Sequence, residues 1–185
     1  MKNTFYILFV SFLLLFLSSC LSTLYPIFHE NDVVFNQQLL GSWKYIEDKK
    51  EKFIEFRKIP DDRKSELTAS IKKISDKGYL VSRTDSLGVV LSQAFVFLAK
   101  IGKNYYLDYY PAEMPSQKGT NKFYKSHYVK IHMSYKIDFK DNDHFEMKRF
   151  EVAFLDKLIE DNKINIRHVI VEGSNVITAS QEDLQ

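Results

Sequence analysis

The sequence predicts a mainly β fold: an antiparallel meander wound into a barrel or half-barrel, with one short α-helix late in the chain. Three observations carry that reading. From Val129 to Phe139 the odd positions (Val129, Ile131, Met133, Tyr135, Ile137, Phe139) are largely apolar, and Lys130, His132, Ser134, Lys136 and Asp138 between them are polar. That period of two is the pattern of a strand with one buried and one wet face. Aromatic residues make up 15% of the chain, with 15 Phe and 11 Tyr against only 6 Gly and 4 Pro, and aromatic side chains favour strands. Strand-like runs also follow one another with brief turn signals between them, and a single segment changes to helical spacing.

Taken in order, LLGSWKYIE (39–47) opens the folded region, with Trp43 and Tyr45 on one face and Lys44 on the other. KFIEFRKI (52–59) is a second strand. LTASIKKIS (67–75) and YLVSRT (79–84) flank Asp76-Lys77-Gly78, which reads as a hairpin because glycine tolerates positive φ. VVLSQAFVFLAKI (89–101) is apolar at odd and even positions alike, so it is expected in the middle of the sheet with both faces covered. Gly102-Lys103-Asn104 turns the chain into YYLDYY (105–110), and a polar loop from Pro111 to Lys122 follows. After the alternating strand, Asp141-Asn142-Asp143 makes a turn into HFEMKRF (144–150). Phe154, Leu155, Leu158 and Ile159 then recur at helical spacing. INIRHVIVEG (164–173) and NVITAS (175–180) make a last hairpin, and Ser180-Gln181-Glu182-Asp183 reads as a helix start. Eight to ten short strands result, with no internal repeat.

The N-terminus has a different character. Lys2 precedes an apolar run from Phe5 to Leu17, broken only by Ser11, and small residues lead to Cys20, the only cysteine. Charge, apolar run and small residues in that order form a secretory signal, too short for a membrane span of about 20 residues. Residues 1–19 are therefore expected to be a signal peptide, residues 20–38 a tether or N-terminal arm that packs back on the domain through Tyr25, Phe28, Val33, Val34 and Phe35, and residues 39–185 a single β-rich domain. Lys+Arg 26 against Asp+Glu 24 is close to balance, which gives no footprint for nucleic acid.

Leu17-Ser18-Ser19-Cys20 resembles the lipobox of bacterial lipoproteins. The resemblance implies that Cys20 is acylated by the lipoprotein-processing machinery, that residues 1–19 are removed, and that the chain sits in the bacterial cell envelope. Leu21 after the cysteine is similar to the outer-membrane default of that class, facing the periplasm. More than one acyl chain gives stable anchoring, at about 0.8 kcal/mol per buried CH2. Gly41-Ser42-Trp43 resembles the Gly-x-Trp opening of lipocalins and related barrels. In that family the tryptophan packs across the closed end of the barrel and a late arginine caps it; Arg149 and Arg167 are the late arginines available. LLGSWKY, AFVFLAKIGKNYYLDYYP, the histidine-bearing strand and ITASQEDLQ together are similar to a set of bacterial lipoproteins without a settled activity.

Chemistry-bearing patterns are sparse. No nucleophile elbow, zinc signature, P-loop or dinucleotide fingerprint is present. His127 and His132 lie five apart and so point to opposite faces of a strand; His132 falls on the polar face and is expected to be solvated. Asp138, Asp141 and Asp143 lack the glycine and bidentate glutamate of a calcium loop. No cofactor and no metal are expected. The four tyrosines Tyr105, Tyr106, Tyr109 and Tyr110 either fill the core or line a ligand mouth with flat faces and polar tips. Trp43, Tyr45, Tyr105 and Tyr109 are the candidate ligand-binding residues, and Cys20 the lipidation site. The expected function is a non-catalytic, lipid-anchored envelope protein that binds an apolar or amphipathic ligand, or an envelope partner, through a barrel-like domain. A structural or assembly subunit with a filled barrel is the alternative, and an enzyme with dispersed catalytic residues ranks third.

Overall fold

A computed structural model describes residues 22–112, 129–150, 152–171 and 174–180. It is mainly β, as the alternation predicts. The strands are β1 (Ser22–Thr23), β2 (Val33–Val34), β3 (Gly41–Glu47), β4 (Lys50–Lys58), β5 (Gly78–Thr84), β6 (Val90–Ile101), β7 (Asn104–Pro111), β8 (His132–Phe139), β9 (Phe145–Arg149), β10 (His168–Val171) and β11 (Ser174–Ile177). All eleven belong to one sheet in the order β10-β11-β1-β8-β7-β6-β5-β4-β3, with β2 added to β6 and β9 to β8. Strands β3 to β8 run as an antiparallel meander, and the parallel pair β1–β11 makes the sheet mixed.

The sheet forks at two places. One edge of β8 carries β1 at His132 and Met133, then β9 from Tyr135 to Phe139. One edge of β6 carries β5 as far as Phe97, then β2 at Leu98 and Ala99. The run from β3 to β9 curls until its ends meet: the Trp43 ring stands edge-on to Phe145 at 4.5 Å between centroids. Side chains make that contact, with no ladder between β3 and β9 among the described residues, so the sheet is a half-barrel. Turn chemistry supports the curl. The β3–β4 hairpin turns through Asp48 (φ 52°) and Lys49 (φ 61°), the paired positive φ of a type I′ turn. Gly102 (φ 60°) opens the two-residue turn between β6 and β7.

Each face of the sheet has its own core. The inward face gathers Leu39, Ile54, Phe56, Tyr79, Val81, Val96, Leu98, Leu107 and Ile137. On the outward face, Leu80, Phe95, Phe97, Ala99 and Tyr110, with Val33 of β2 beside Ala99, pack against Phe28 of the arm and Ile59, Leu67, Ile71 and Ile74. Gly78 shows how close that cover lies: a Cβ there would come within 2.6 Å of both Ile59 Cδ1 and Phe97 Cε1.

Two expectations change. LTASIKKIS is not a strand: Ala69–Lys73 forms a helix, α1. Leu67, Ile71 and Ile74 are spaced by four and three, so they fall on one helical side and meet the sheet while Ser70, Lys72 and Lys73 stay exposed. The late helix, α2 (Val152–Glu160), is thus the second α-helix among the described residues. It ends on Asn162 (φ 53°), with Lys163 N–H bonded to Leu158 O and Asn162 N–H to Ile159 O, a Schellman closure. Residues 22–38 are also more than a tether, since they supply β1 and β2 to the sheet. The helix start read at Ser180 runs into residues 181–185, and the loop read at 111–122 runs from 113 onward, outside the described residues.

The arm is locked at Tyr79. Its ring is fully buried, and its hydroxyl donates to Asn36 O (2.9 Å) and accepts from Asn36 N–H (2.7 Å). Burial pushes the phenol pKa up to about 12. Phe35 stacks on the same ring at 5.1 Å. Tyr79→Phe keeps the packing and strands both backbone groups of Asn36. It is expected to cost about 1–3 kcal/mol, read as a lower urea midpoint at unchanged slope; an unchanged midpoint would show that the lock contributes nothing.

Candidate functional site

Along every strand of the meander, the inward face divides into a filled half and an open half. The filled half holds Trp43, Phe56, Val81, Val96, Leu98, Leu107, Ile137 and Phe145. The open half is lined by pairs two residues apart, as strand alternation requires: Tyr45 and Glu47 on β3, Ser92 and Ala94 on β6, Tyr109 and Pro111 on β7, Met133 and Tyr135 on β8, Met147 and Arg149 on β9. Ile54 forms its floor and Arg83 of β5 joins the wall. Together they enclose an open cavity of about 370 Å3.

Polar atoms in this cavity are held by one another. The Arg83 guanidinium donates to the Tyr45 hydroxyl (2.8 Å) and to Glu47 Oε2 (2.9 Å), and lies over the Tyr45 ring. Lys52 donates to the same carboxylate oxygen at 2.6 Å. The Lys52 hydrogen bond is the main cause holding the Glu47 carboxyl below its ordinary range, and the charges of Arg83, Lys52 and Arg149 add to it. A carboxylate so lowered favours the folded state above the ordinary carboxylate range, and that contribution is lost as pH falls through its folded value. Tyr109 packs edge-on to Tyr135 at 5.2 Å and points its hydroxyl at Met147 Sδ (3.6 Å). Burial pushes that phenol well above its ordinary range.

The four candidate ligand-binding residues all face inward, in different halves. Tyr45 and Tyr109 line the cavity. Trp43 and Tyr105 belong to the packing of the inward core: the indole N–H donates to Leu39 O at 2.9 Å, and Tyr105 stands edge-on to Phe139. Tyr106 and Tyr110 point to the outward side, where Tyr106 stacks on Phe150 and Tyr110 meets His132. Of the late arginines, Arg149 opens onto the cavity, while the ring against Trp43 is Phe145. Cys20 and His127 lie outside the described residues. Sequence reasoning missed Arg83, Glu47, Met133, Met147 and Arg149 as cavity residues. The signal was available in part, because Met147 and Arg149 share the inward parity of Phe145 on one strand.

One expectation about β8 is overturned. His132 is 3% exposed and Ser134 likewise, although both lie on the polar side of the alternating strand. Asp108 of β7, fully buried, faces them: its Oδ1 lies 2.5 Å from His132 Nδ1, and its Oδ2 accepts from Ser134 Oγ (3.0 Å) and, at 3.5 Å, from Ile27 N–H. The polar face is covered because the arm beyond β1 crosses it, bringing the Ile27 N–H to Asp108, while β1 itself pairs along the edge of β8. The residue types are those of a catalytic trio, but the wiring differs. The serine donates to the aspartate rather than to the histidine, so its oxygen has no base to activate it. Among the described residues no three His, Cys, Asp or Glu side chains converge as a metal site, and no helix is long and apolar enough to cross a membrane.

No protein-family model, no curated protein and no solved structure matches the chain. The site therefore stands on its own geometry.

Asp108→Ala would leave His132, Ser134 and the Ile27 N–H without their buried acceptor. Each buried donor left without its acceptor costs about 1–3 kcal/mol. The expected result is a large fall in the urea midpoint, whereas a midpoint within error of the parent would mean that water satisfies the cluster.

Proposed function

We propose that the chain is a lipid-anchored envelope protein that binds an apolar or amphipathic ligand in the open half of its half-barrel, without catalysing a reaction. The supporting observation is the division of the inward face. A packed half gives the sheet rigidity, and the cavity beside it offers Tyr45, Ile54, Tyr109, Met133 and Met147 as an apolar wall. Its volume of about 370 Å3 falls within the roughly 300–1,000 Å3 typical of small-molecule sites. Methionines suit such a wall because they adapt their shape to the guest. Acylation of Cys20 by the lipoprotein-processing machinery supplies the anchor, with the outer membrane, facing the periplasm, as the location. The assembly-subunit alternative has in its favour the filled half and the edge strand β10, whose Val169, Ile170 and Val171 are exposed.

One experiment separates the two readings. The full chain in phosphatidylcholine vesicles is titrated with neutral N-phenyl-1-naphthylamine, with protein-free vesicles as blank. Ligand binding predicts saturable fluorescence gain, weakened about tenfold or more by Met133→Trp, which fills the cavity. No saturable gain in the parent would sink the ligand reading and leave the assembly subunit. For the anchor, Cys20→Ser is expected to abolish acyl labelling and move the protein to the soluble fraction; an unchanged mass and membrane fraction would refute it.

A further inference from the structure

The charge on the cavity wall is lopsided. Among the described residues Glu47 is its only acid, and Lys52 and Arg83 already hold that carboxylate. Arg149 is the cation left over. Its side chain is exposed at the cavity rim and makes no hydrogen bond or ion pair with any described residue; it acts on Glu47 only as a charge through space. Met147 lies two residues before it on the same face, and Tyr135 is its partner across the ladder. An unpaired guanidinium thus borders a wall of thioether and aromatic surface.

We propose that the cavity takes a single-chain amphiphile with an anionic head, the chain lying against Met133, Met147 and Tyr109 and the head held by the Arg149 guanidinium. This rests on the ligand-binding reading above and adds the chemistry of the head group. A guanidinium presents a fixed fork of donors that matches a carboxylate or a phosphate monoester with two parallel hydrogen bonds. The surplus positive charge of Arg83 and Lys52 over Glu47 attracts an anion to the same rim and repels a cationic head. A cavity of about 370 Å3 is at the small end for ligand sites, which suits one chain rather than a diacyl lipid. Apolar contact gives such a ligand most of its affinity, and the arginine gives it polarity of orientation.

The test compares radiolabelled decanoate, decyl phosphate, decanol and decyltrimethylammonium on the full chain in phosphatidylcholine vesicles, again with protein-free vesicles as blank. Decanoate, decyl phosphate or both should bind at least about tenfold more tightly than decanol, and the order of the two anions identifies the head group. Arg149→Met should erase that preference, so that the anions bind no more tightly than decanol, while Arg149→Lys keeps part of it. Equal binding of the anions and decanol by the parent, or an Arg149→Met protein that retains the preference, overturns the anionic head and leaves the cavity as an apolar site. Failure of all four probes to bind the parent overturns the ligand reading beneath it.

Discussion

The fold depends on one constraint: its central strands are apolar on both faces, and a single sheet has to hide both. Tyr79, Leu80 and Val81 on β5 and Phe95 to Ala99 on β6 are all within 2% of full burial. A flat sheet of this kind would expose a greasy plane to water, and among the described residues no second sheet stacks against it. It solves the inward face by curling until Trp43 reaches Phe145, and the outward face by laying the arm and the segment from Ile59 to Ile74 across it. Fully burying one large apolar side chain is worth about 1.5–3 kcal/mol, and Phe28, Leu67, Ile71 and Ile74 each contribute on that scale to holding the cover in place.

The same constraint explains why the arm is locked so firmly. It has to cross from the outward core, where Phe28 and Val33 lie, to the inward core, where Leu39 is fully buried. Its backbone would otherwise pass the edge of the sheet with unpaired groups. The Tyr79 hydroxyl satisfies both the N–H and the carbonyl of Asn36, Lys77 donates to Val33 O, and β2 uses the free stretch of β6. The network of Asp108 with His132 and Ser134 does the equivalent work near β1. A polar cluster whose members are hydrogen-bonded to one another offsets much of the cost of its burial, and it fixes one register where apolar packing alone would tolerate slippage.

How much of this was legible in the sequence depends on whether a pattern was local. Period-two alternation located β8, and two-sided apolarity placed β6 in the interior, because each follows from the strand itself. The reading of His132 as solvated failed because alternation says which residues share a face, not what lies over that face; Ile27, Asp108 and Thr23 are far away in sequence. Leu67, Ala69 and Ile71 alternate as a strand would, while Leu67, Ile71 and Ile74 match a helix, and only the sheet beneath decides between them. Trp43, Tyr45, Tyr105 and Tyr109 were legible as inward-facing. Which half of the barrel each occupies was not, since the boundary between packed and open is set by how seven strands stagger against one another.

That stagger also bears on the proposed anchor. β1 begins at Ser22, so only Leu21 stands between Cys20 and a strand hydrogen-bonded into the sheet. An extended chain spans at most about 3.5 Å per residue, which leaves a lipid on Cys20 no leash. A soluble-facing tether would let the domain sample the periplasm freely. If Cys20 carries the proposed lipid, a domain joined to it by β1 would instead be held against the head groups, and the strands that neighbour β1, β11 and β8, would be held there with it. β8 carries Met133 and Tyr135 into the cavity wall and pairs with β9, which carries Met147 and Arg149. One continuous ladder of strands runs from β1 to the cavity wall, so the proposed acylation of Cys20 would fix not only where the protein works but also how its open half is presented to the bilayer.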